Sequence, residues 1–320
     1  MALLVQPTLS KYTSPVIVIN TNQGALPLQT IWVSHQLNEK QKSDIEALVQ
    51  ECFAFDGVER TLYLSNDLNY YEKMDCFYLL YSNERLVSVL SIVEILEREA
   101  EISAYTLPKE RNKGYFTALL GYAKDELTRY EINKALFVVE PSCESGIAAV
   151  NALQARYEKS EYLLIRPNHK EQQHMHKPED IKEHFVLREL DTHCLEKAAT
   201  LSSKLFGTDV KEDISILKEA MESDQMKTFC SFLSGKMIGI TSVNYGIKSA
   251  CIFDFGIAAK YQGKGYGRKQ LDLLLSELSS CECENIILEV GSENKKAFSL
   301  YQSAGFQIKT QYDYYELQIK

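Results

Sequence analysis

A short glycine-rich loop in the second half of the chain has the composition of an anion-binding site. It reads Gln262-Gly263-Lys264-Gly265-Tyr266-Gly267 and follows an apolar stretch that ends at Ile257. Glycine lets the backbone approach a ligand closely, and the free N–H groups at the start of a following helix favour a negative charge. Lys260, Arg268 and Lys269 add positive charge in a chain whose net charge is −9. The segment is therefore a candidate cradle for a pyrophosphate.

Two common phosphate loops fit this spacing poorly. A Walker loop closes with Gly-Lys-Ser/Thr, whereas Arg268-Lys269 follows Gly267 here. A dinucleotide fingerprint places GxGxxG early in a βαβ unit, whereas this chain has Gly263-x-Gly265-x-Gly267 late in its domain. The acetyltransferase loop is the third possibility.

The loop and the sequence after it resemble the GNAT N-acetyltransferase family. Gln262-x-x-Gly265-x-Gly267 is similar to that family's Arg/Gln-x-x-Gly-x-Gly/Ala loop, and the approach Asp254-Phe255-Gly256-Ile257 looks like its fourth strand. The family's later motif is matched by a strand, an asparagine, a helix with Leu-Tyr, and Gly-Phe: Leu288-Glu289-Val290, Asn294, Ala297, Leu300-Tyr301 and Gly305-Phe306. The resemblance covers roughly residues 184–320 as a whole domain.

The resemblance implies a fold, a cofactor and a set of binding residues. The fold is α/β (α+β), a twisted mixed sheet flanked by helices, in which the fourth and fifth strands splay apart around the cofactor's pantetheine arm. Acetyl-CoA is the implied acyl donor, and no metal is expected. Its pyrophosphate would lie on Gln262–Gly267 with Arg268 nearby, its pantetheine on the Ile257 backbone, and its arm near Asn294. A backbone N–H at Phe255 or Ile257 would stabilise the oxyanion.

Two side chains are candidates for the proton transfers that acyl transfer requires. The resemblance makes Tyr301 the acid that protonates the leaving thiolate, because a phenol has a pKa of about 10. The competing interpretation is a packed tyrosine, one of 19 in the chain. Asp254 is the candidate base, since a carboxylate in the apolar strand Ile252–Phe255 is costly unless it is paired or functional. Pairing with a nearby cation or capping of a turn is an equally good explanation of Asp254.

The order of predicted elements is written twice along the chain. In each half a strand, a helix and a strand–turn–strand unit precede a glycine loop and an amphipathic helix. In the first half, Asn38 is predicted to cap the helix with Gln41 as its capping-box partner. In the second half, strands are predicted at His184–Leu190, Phe229–Leu233, Met237–Val243 and Ala250–Ala258. The loop Arg111–Phe116 lies 151 residues before Gln262–Gly267. We therefore predict two tandem GNAT domains, a degenerate one at 31–167 and a catalytic one at 184–320. A polar linker at 168–183 separates them, and residues 1–30 form an unassigned extension.

The first copy departs from the motif at several positions. Phe116 stands where the loop's second glycine or alanine belongs. In the later motif we align Tyr157 with Tyr301, Val150 with Asn294, and Glu161-Tyr162 with Gly305-Phe306. We expect this copy to bind CoA poorly or not at all, and to shape the acceptor site or the interface instead.

Composition excludes several other functions. The chain has 320 residues and a pI near 5.3, which disfavours broad nucleic-acid binding. No apolar stretch approaches the length of a membrane span or forms a signal peptide. The eight cysteines are scattered and are interpreted as reduced thiols of a cytoplasmic protein, with Cys281-Glu282-Cys283 the nearest approach to a metal pair. The linker histidines are interpreted as solvated: His169, His174 and His176.

The sequence thus favours an N-acetyltransferase that acetylates an amine of a small molecule or peptide, working as a monomer or homodimer. The alternative is an acyl-CoA sensor of the same fold that performs no turnover. Retention of Tyr301 and Asn294 favours the enzyme, because a sensor needs no proton donor. Aminoacyl transfer from tRNA is disfavoured by the charge of −9. The identity of the acceptor is left open.

Overall fold

The architecture was analysed in a computed structural model. It describes residues 16–18, 29–67, 69–96, 98–168, 184–246 and 248–319. Most of the unassigned extension and the three linker histidines, His169, His174 and His176, lie outside the described residues. Within them, no helix combines the length and the apolar character needed to cross a membrane.

The first half of the chain forms seven strands and three helices within the described residues. In chain order they are β1 (Val16–Val18), β2 (Gln29–Ser34), α1 (Glu39–Asp56), β3 (Phe77–Ser82), β4 (Arg85–Leu96), β5 (Glu99–Thr106), α2 (Tyr115–Arg129), β6 (Lys134–Val139), α3 (Glu144–Ala152) and β7 (Arg156–Pro167). The predicted capping box of α1 is confirmed: the Asn38 side chain accepts from the Gln41 N–H, and the Gln41 side chain accepts from the Asn38 N–H.

The second half repeats the order from β2 onward, with one extra α-helix. It contains β8 (Phe185–Glu189), α4 (Leu195–Phe206), α5 (Val210–Glu222), β9 (Met226–Leu233), β10 (Lys236–Tyr245), β11 (Ser249–Ile257), α6 (Tyr266–Leu278), β12 (Asn285–Gly291), α7 (Lys295–Ser303) and β13 (Gln307–Gln318). The predicted strands from His184, Phe229, Met237 and Ala250 and the helix after the glycine loop are confirmed. Asp191 accepts from the Cys194 N–H one turn before α4 begins.

The chain divides into two compact units. The first unit runs up to Lys159 and takes in the C-terminal segment from Tyr312 onward; the second unit is Ser160–Gln311. In the first unit the strand order is β1-β2-β3-β4-β5-β6 followed by the end of β13, and in the second it is β8-β9-β10-β11-β12 followed by the end of β7. Each unit therefore has an α/β fold with a mixed sheet, antiparallel except for one parallel pair.

The last strand of each sheet comes from the other half of the sequence. In the first unit, β6 pairs with Asp313–Gln318, and in the second unit β12 pairs with residues 161–167. These compact units differ from the linear division at 31–167 and 184–320, because backbone pairing depends on spatial register and leaves no mark in a repeated element order. Those linear limits stay a prediction about where each sequence copy begins and ends.

The parallel pair is the feature of each sheet that positions the candidate site. In the second unit β11 pairs with β12 at four positions only, from Ser249 with Asn285 to Ile252 with Leu288. In the first unit β5 and β6 likewise pair at four positions, from Glu99 with Lys134 to Ile102 with Phe137. Beyond those points each strand continues without its parallel neighbour, which leaves a gap in the sheet.

The strand exchange predicts that a C-terminal residue stabilises the N-terminal unit. Tyr314 is 2% exposed, and truncating a buried aromatic side chain costs about 3–5 kcal/mol. Tyr314→Ala is therefore expected to lower the free energy of unfolding of the first unit by that amount. The measurement is urea unfolding followed by the fluorescence of Trp32, the chain's single tryptophan, which lies on β2 of that unit.

Ile308→Ala is the matched control on the same strand. Ile308 is 48% exposed, so its truncation should shift stability by less than about 0.5 kcal/mol. A Trp32 transition that is unchanged in Tyr314→Ala would contradict the assignment of this segment to the first unit.

Candidate functional site

The end of β11 presents backbone groups to the gap in the second unit. Ile257 pairs with Gly239 on β10, and the N–H of Ala258 donates to the Ile238 carbonyl over 2.8 Å. This pattern makes Ile257 and Gly239 a non-hydrogen-bonded pair of the antiparallel ladder. The N–H and C=O of Ile257 therefore point away from β10, toward the side from which β12 has diverged.

The Ile257 carbonyl is held by the first side chain of the glycine loop. Gln262 Nε2 donates to this oxygen over 2.8 Å. The Gln262 side chain thus closes the turn between β11 and the loop. Its role in the structure is to shape the loop, and the N–H of Ile257 is the group left for a ligand in the gap.

The glycine loop leads into a helix without a side-chain cap. Gly263 and Gly265 have φ values of 73° and 82°, a left-handed conformation that strains other residues. Gly265 is the N-cap of α6, and within the described residues no side chain accepts from the helix's first N–H groups. Residues 262–265 are exposed. The first turn of α6 therefore presents free N–H groups to solvent, as an anion site requires.

The cations around the loop differ in how they are held. Lys260 and Lys264 lie over the Tyr261 ring, with their ammonium nitrogens 5.2 and 5.9 Å from its centroid. Arg268 is bound more firmly: its Nε donates to Asp272 over 2.8 Å and its Nη1 to Ser303 at the end of α7. The two lysines are free to turn toward an anion, whereas Arg268 fastens α6 to α7.

The Tyr266 ring is part of the core beneath the loop. It is 8% exposed and stacks on Phe185 of β8, with a centroid separation of 5.8 Å. Only the backbone of Tyr266, the first residue of α6, faces the loop's ligand side. Gly267 follows it, and a Cβ there would lie 3.7 Å from Leu300 and 4.0 Å from Ile257. The loop, the end of β11 and α7 therefore meet at this glycine.

Tyr301 is placed on α7 beside the end of β11. Its ring contacts Phe255 edge-on at 5.8 Å and Phe306 at 6.0 Å, and the residue is 6% exposed. Burial raises the pKa of its phenol to about 12. Across the described residues no group forms a hydrogen bond with its hydroxyl. The neutral phenol can therefore donate a hydrogen bond to a ligand.

Asp254 occupies a β-bulge at the centre of β11. Ile240 pairs with Gly256 and Ser242 with Phe253, so Thr241 alone faces the two residues Asp254 and Phe255. Asp254 has a φ of 48°, which is uncommon for a residue other than glycine. Phe255, the next residue of the bulge, contacts the Tyr301 ring, so Tyr301 lies beside this part of β11.

The carboxyl group of Asp254 has an altered proton affinity. Although the residue is exposed to solvent, surrounding protein atoms desolvate its carboxylate, and the charge of Asp213 on α5 opposes ionisation further. Together they raise the pKa of Asp254 to about 6. Asp213 is 5% exposed and accepts from Thr208 Oγ1 over 2.8 Å. Within the described residues no cation forms an ion pair with Asp254, so the pairing considered from the sequence is not seen.

Asn294 has a structural role in the second unit. Its Oδ1 accepts from the Ala297 N–H over 3.1 Å, which caps the start of α7. Arg166 of β7 holds the other end of this helix by donating Nε to the Ala304 carbonyl over 3.1 Å. These two bonds fix the helix that carries Tyr301. Contact between Asn294 and a cofactor stays a prediction.

The first unit reproduces the backbone of the loop. Gly114 has a φ of 81° and is the N-cap of α2, and Asn112 has a φ of 61° where Gly263 stands in the second unit. Arg111 Nε donates to the Thr106 carbonyl over 3.1 Å, as Gln262 does to Ile257. Loop shape therefore does not distinguish the two units.

The basic side chain of the first loop, Arg111, is already paired with a carboxylate of the same unit. Asp56, the last residue of α1, accepts from Arg111 Nη1 over 2.8 Å and from Nη2 over 2.5 Å. The bidentate pair satisfies the guanidinium that an incoming anion would need. At the corresponding helix end the second unit has Phe206, which is 40% exposed.

The gap of the first unit is bridged by its own backbone. The N–H groups of Glu59 and Arg60 donate to Glu140, which follows β6, each over 2.9 Å. The Tyr105 hydroxyl on β5 donates to the Arg60 carbonyl. The segment at 58–60 therefore connects the two diverged strands. In the second unit Gly291 stands in place of Glu140, so that anchor has no counterpart.

The sequence alignment of the later motif was wrong for the first copy. In the structure α3 corresponds to α7, so Cys143 takes the N-cap position of Asn294 and buried Val150 takes the place of Tyr301. Gln154, with a φ of 55°, takes the place of Gly305. Tyr157 lies instead on β7 and is 53% exposed. The first unit thus lacks the phenol altogether.

Four relevant residues went unnoticed in the sequence: Asp56, Glu140, Asp213 and Gln270. The first three are acids within ordinary mixed sequence and carry no local signal, because their partners lie far along the chain. Gln270 could have been found from its spacing, since it lies four residues after Tyr266 and four before Leu274 on the buried face of α6. A polar residue at such a position requires hydrogen-bond partners.

The cysteines follow the sequence interpretation only in part. Cys281 and Cys283 are joined by a disulfide, so the expectation of reduced thiols was wrong for this pair. Only Glu282 separates the two cysteines, so their sulfur atoms can meet. The sequence does not give the oxidation state of such a pair. Six other cysteines are free. Within the described residues no group of three His, Cys, Asp or Glu side chains is arranged to hold a metal ion.

Comparison with known proteins places this geometry in a family. The model of the acetyltransferase (GNAT) family matches residues 187–306. Spermine/spermidine N(1)-acetyltransferase of Bacillus subtilis (strain 168) is 30% identical over 109 residues, covering 31% of this chain and 70% of the relative. [Ribosomal protein bS18]-alanine N-acetyltransferase of Escherichia coli (strain K12) is 29% identical over 96 residues, covering 29% of this chain. The chain spans 65% of that relative's length.

Solved structures show the same fold over most of the chain. A tandem GNAT protein from the clavulanic acid biosynthesis pathway has a TM-score of 0.65 at 12% identity, covering 91% of this chain and 99% of its own. A GCN5-related N-acetyltransferase from Sphaerobacter thermophilus has a TM-score of 0.66 at 14% identity, covering 87% and 92%. With the 30%-identical relative matched over 70% of its length, these findings show that the chain belongs to the GNAT acetyltransferase family.

Proposed function

We propose that the second unit transfers an acetyl group from acetyl-CoA to an amine of a small molecule or peptide. The observation that carries this proposal is the convergence of three features at one gap. They are the uncapped start of α6, the Ile257 N–H directed away from β10, and the Tyr301 phenol. Acetyl-CoA supplies a thioester whose acyl carbon accepts the amine nitrogen.

The residues at this gap fit the donor's chemistry. The exposed N–H groups at the start of α6 suit a pyrophosphate, and Lys260 and Lys264 add positive charge beside them. The Ile257 N–H suits a carbonyl oxygen of an extended arm with amide groups. These two features lie one loop apart, since residues 258–265 connect them.

Asp254 and Tyr301 would handle the two protons of the reaction. With a pKa of about 6, the Asp254 carboxylate is ionised at neutral pH, so it can accept a proton from an ammonium acceptor. Tyr301 stays protonated across the working range and can donate its hydroxyl hydrogen bond to a departing sulfur. Asp254 and Phe255 are consecutive residues of the bulge, and Phe255 contacts the Tyr301 ring.

The first unit is proposed to have no catalytic role. Its Arg111 is paired with Asp56, its gap is crossed by residues 58–60, and Val150 replaces the phenol. An incoming CoA would have to break a bidentate ion pair and displace backbone that is already hydrogen-bonded. Since such groups are costly to leave unsatisfied, we assign donor binding to the second unit.

The relatives support an amine as acceptor. The names of two of them specify an alanine of ribosomal protein bS18 and the amines spermine and spermidine. Both substrates present a nitrogen nucleophile that is cationic at neutral pH. A base with a pKa near 6 suits such an acceptor, because it is charged when the amine arrives.

Matched glycine substitutions test which unit binds the donor. Gly265→Ala puts a Cβ at a φ of 82°, which strains the loop by about 1–2 kcal/mol and displaces the N–H groups of α6. We expect its dissociation constant for CoA, measured by calorimetry, to rise roughly tenfold. Gly114→Ala imposes the same strain at a φ of 81° in the first unit, and CoA affinity should be unchanged. Equal weakening by both substitutions would contradict the assignment.

Removal of the Tyr301 hydroxyl tests its role as proton donor. Tyr301→Phe should lower kcat about 100-fold, the lower end for loss of a general acid. Affinity for CoA and thermal stability should not fall, because the hydroxyl has no protein partner among the described residues. Tyr245→Phe is the control, since Tyr245 is partly buried against the same core cluster. Wild-type kcat in Tyr301→Phe, with CoA binding intact, would favour the acyl-CoA sensor.

The pH dependence of turnover tests Asp254 as the base. Its pKa is about 6, so wild-type kcat should rise with pH through a midpoint near 6. In Asp254→Asn the rise of kcat with pH near 6 should disappear. Both proteins are assayed with the same acceptor amine, so ionisation of the acceptor affects both pH profiles equally. Because the folded pKa lies above the ordinary value of 3.8, ionised Asp254 lowers stability as pH rises from about 4 through 6. Asp254→Asn should therefore be at least as stable at pH 8. An identical limb in both proteins would exclude Asp254.

A further inference from the structure

A buried polar side chain connects the loop helix to the bulge. Gln270 lies on the second turn of α6 and is fully buried, at 0% exposure. Its Nε2 donates to the Ile240 carbonyl over 3.1 Å, and its Oε1 accepts from Ser231 Oγ over 2.7 Å. One side chain thus holds β9 and β10 at adjacent positions.

The strand atom that Gln270 holds lies at the edge of the bulge. Ile240 and Gly256 form the last regular pair before the register shifts, and Asp254 and Phe255 come next on β11. Any movement of the Ile240 carbonyl is therefore transmitted directly to the two bulge residues.

Gly239 provides the space for this contact. A Cβ at this position would lie 2.3 Å from Gln270 Oε1, 2.6 Å from Ile257 Cδ1 and 3.0 Å from the Gly256 carbonyl. Separations below 3.0 Å are not tolerated without movement. A side chain at this position would have to displace the Gln270 amide and the Ile257 side chain, and it would press on the Gly256 carbonyl.

The first unit shows the same positions without the contact. Leu119, fully buried on α2, corresponds to Gln270, and Ser88 corresponds to Gly239 because it pairs with Thr106 as Gly239 pairs with Ile257. There, β4 and β5 pair without a shift from Ser88 with Thr106 to Val93 with Glu101. The bulge accompanies the Gln–Gly pair, and regular pairing accompanies the Leu–Ser pair.

Residue spacing between the two copies identifies the inserted residue. The strand starts Glu99 and Ser249 are 150 residues apart, whereas the strand ends Thr106 and Ile257 are 151 apart. The second copy therefore has one extra residue within this strand, at the bulge that carries Asp254.

We propose that Gln270 is a positioning residue, which holds the bulge so that Asp254 faces the acceptor and Phe255 faces Tyr301. The inference rests on the proposed acetyl transfer for its catalytic consequence, but the contact itself is independent of that activity. Gln270 touches neither donor nor acceptor; it acts through the Ile240 carbonyl.

The first test replaces Gln270 with the residue of the other copy. Gln270→Leu places an apolar side chain of similar size at this buried position and removes both hydrogen bonds. Misplacement of a catalytic group by about 1 Å can cost up to roughly 100-fold in rate, so we expect kcat to fall about 10- to 100-fold. The CoA dissociation constant should change less than about threefold, because the first turn of α6 and its N–H groups are untouched.

A double-mutant cycle distinguishes positioning from general destabilisation. In an Asp254→Asn background, Gln270→Leu should lower kcat little further, since the group it positions is already absent. A purely structural role would lower kcat by the same factor in both backgrounds. Equal factors would therefore overturn the proposal.

Hydrogen exchange provides a readout that does not depend on activity. Amides of residues 253–256 should exchange faster in Gln270→Leu than in the wild type, while those of β12 should not. If the wild type transfers no acetyl group, the proposed function fails, yet this measurement still tests the contact. Unchanged protection at 253–256 in a folded variant would overturn the proposal.

A second variant covers the case in which Gln270→Leu does not fold. Gln270→Met keeps the length of the side chain and a weak sulfur acceptor for Ser231, but it has no donor for the Ile240 carbonyl. It should show the same direction of change in kcat and in exchange at 253–256. Wild-type values of both in this variant would also overturn the proposal.

Discussion

The divergence of one parallel strand pair is the constraint on which both units depend. After four paired positions, β5 and β11 continue without their parallel neighbours. Backbone N–H and C=O groups on that side then need other partners, because buried groups left unsatisfied destabilise the fold. The Ile257 and Thr106 carbonyls are satisfied in the same way, by the first side chain of the following loop. The two units differ in whether the chain itself supplies partners for the other polar groups in the gap.

The first unit closes its gap with its own chain, and the second leaves it open. Glu140, Tyr105 and the backbone at 59–60 form a set of hydrogen bonds across the diverged strands, and Asp56 neutralises Arg111. In the second unit, Gly291 and Phe206 stand at the positions of Glu140 and Asp56. These differences contribute to the contrast between a gap closed by its own chain and one whose polar groups are available to a ligand. This contrast is more informative than the loop sequence itself.

Local patterns in the sequence predicted the elements well, and long-range contacts were beyond their reach. The capping box at Asn38, the helix after Gly265 and the repeated element order follow from side-chain chemistry within a few residues. The strand exchange, the Asp56–Arg111 pair and the disulfide of Cys281 depend on residues brought together by folding. The misalignment of Tyr157 arose because α3 is followed by a strand rich in tyrosine and glutamate, which offered a false match to the motif.

The first unit also shows what a glycine loop alone can and cannot indicate. Gly114 and Asn112 keep the left-handed conformations of the loop although Asp56 pairs with its basic side chain. The loop must therefore serve the fold as well, by turning the chain from β5 into α2 and covering the Thr106 carbonyl. A loop of this shape is retained for packing even where its anion site is blocked. The stronger indicators of chemistry are the features that packing does not require. They are a phenol at Tyr301 whose hydroxyl has no hydrogen-bond partner among the described residues, and a strained, partly desolvated carboxylate at Asp254.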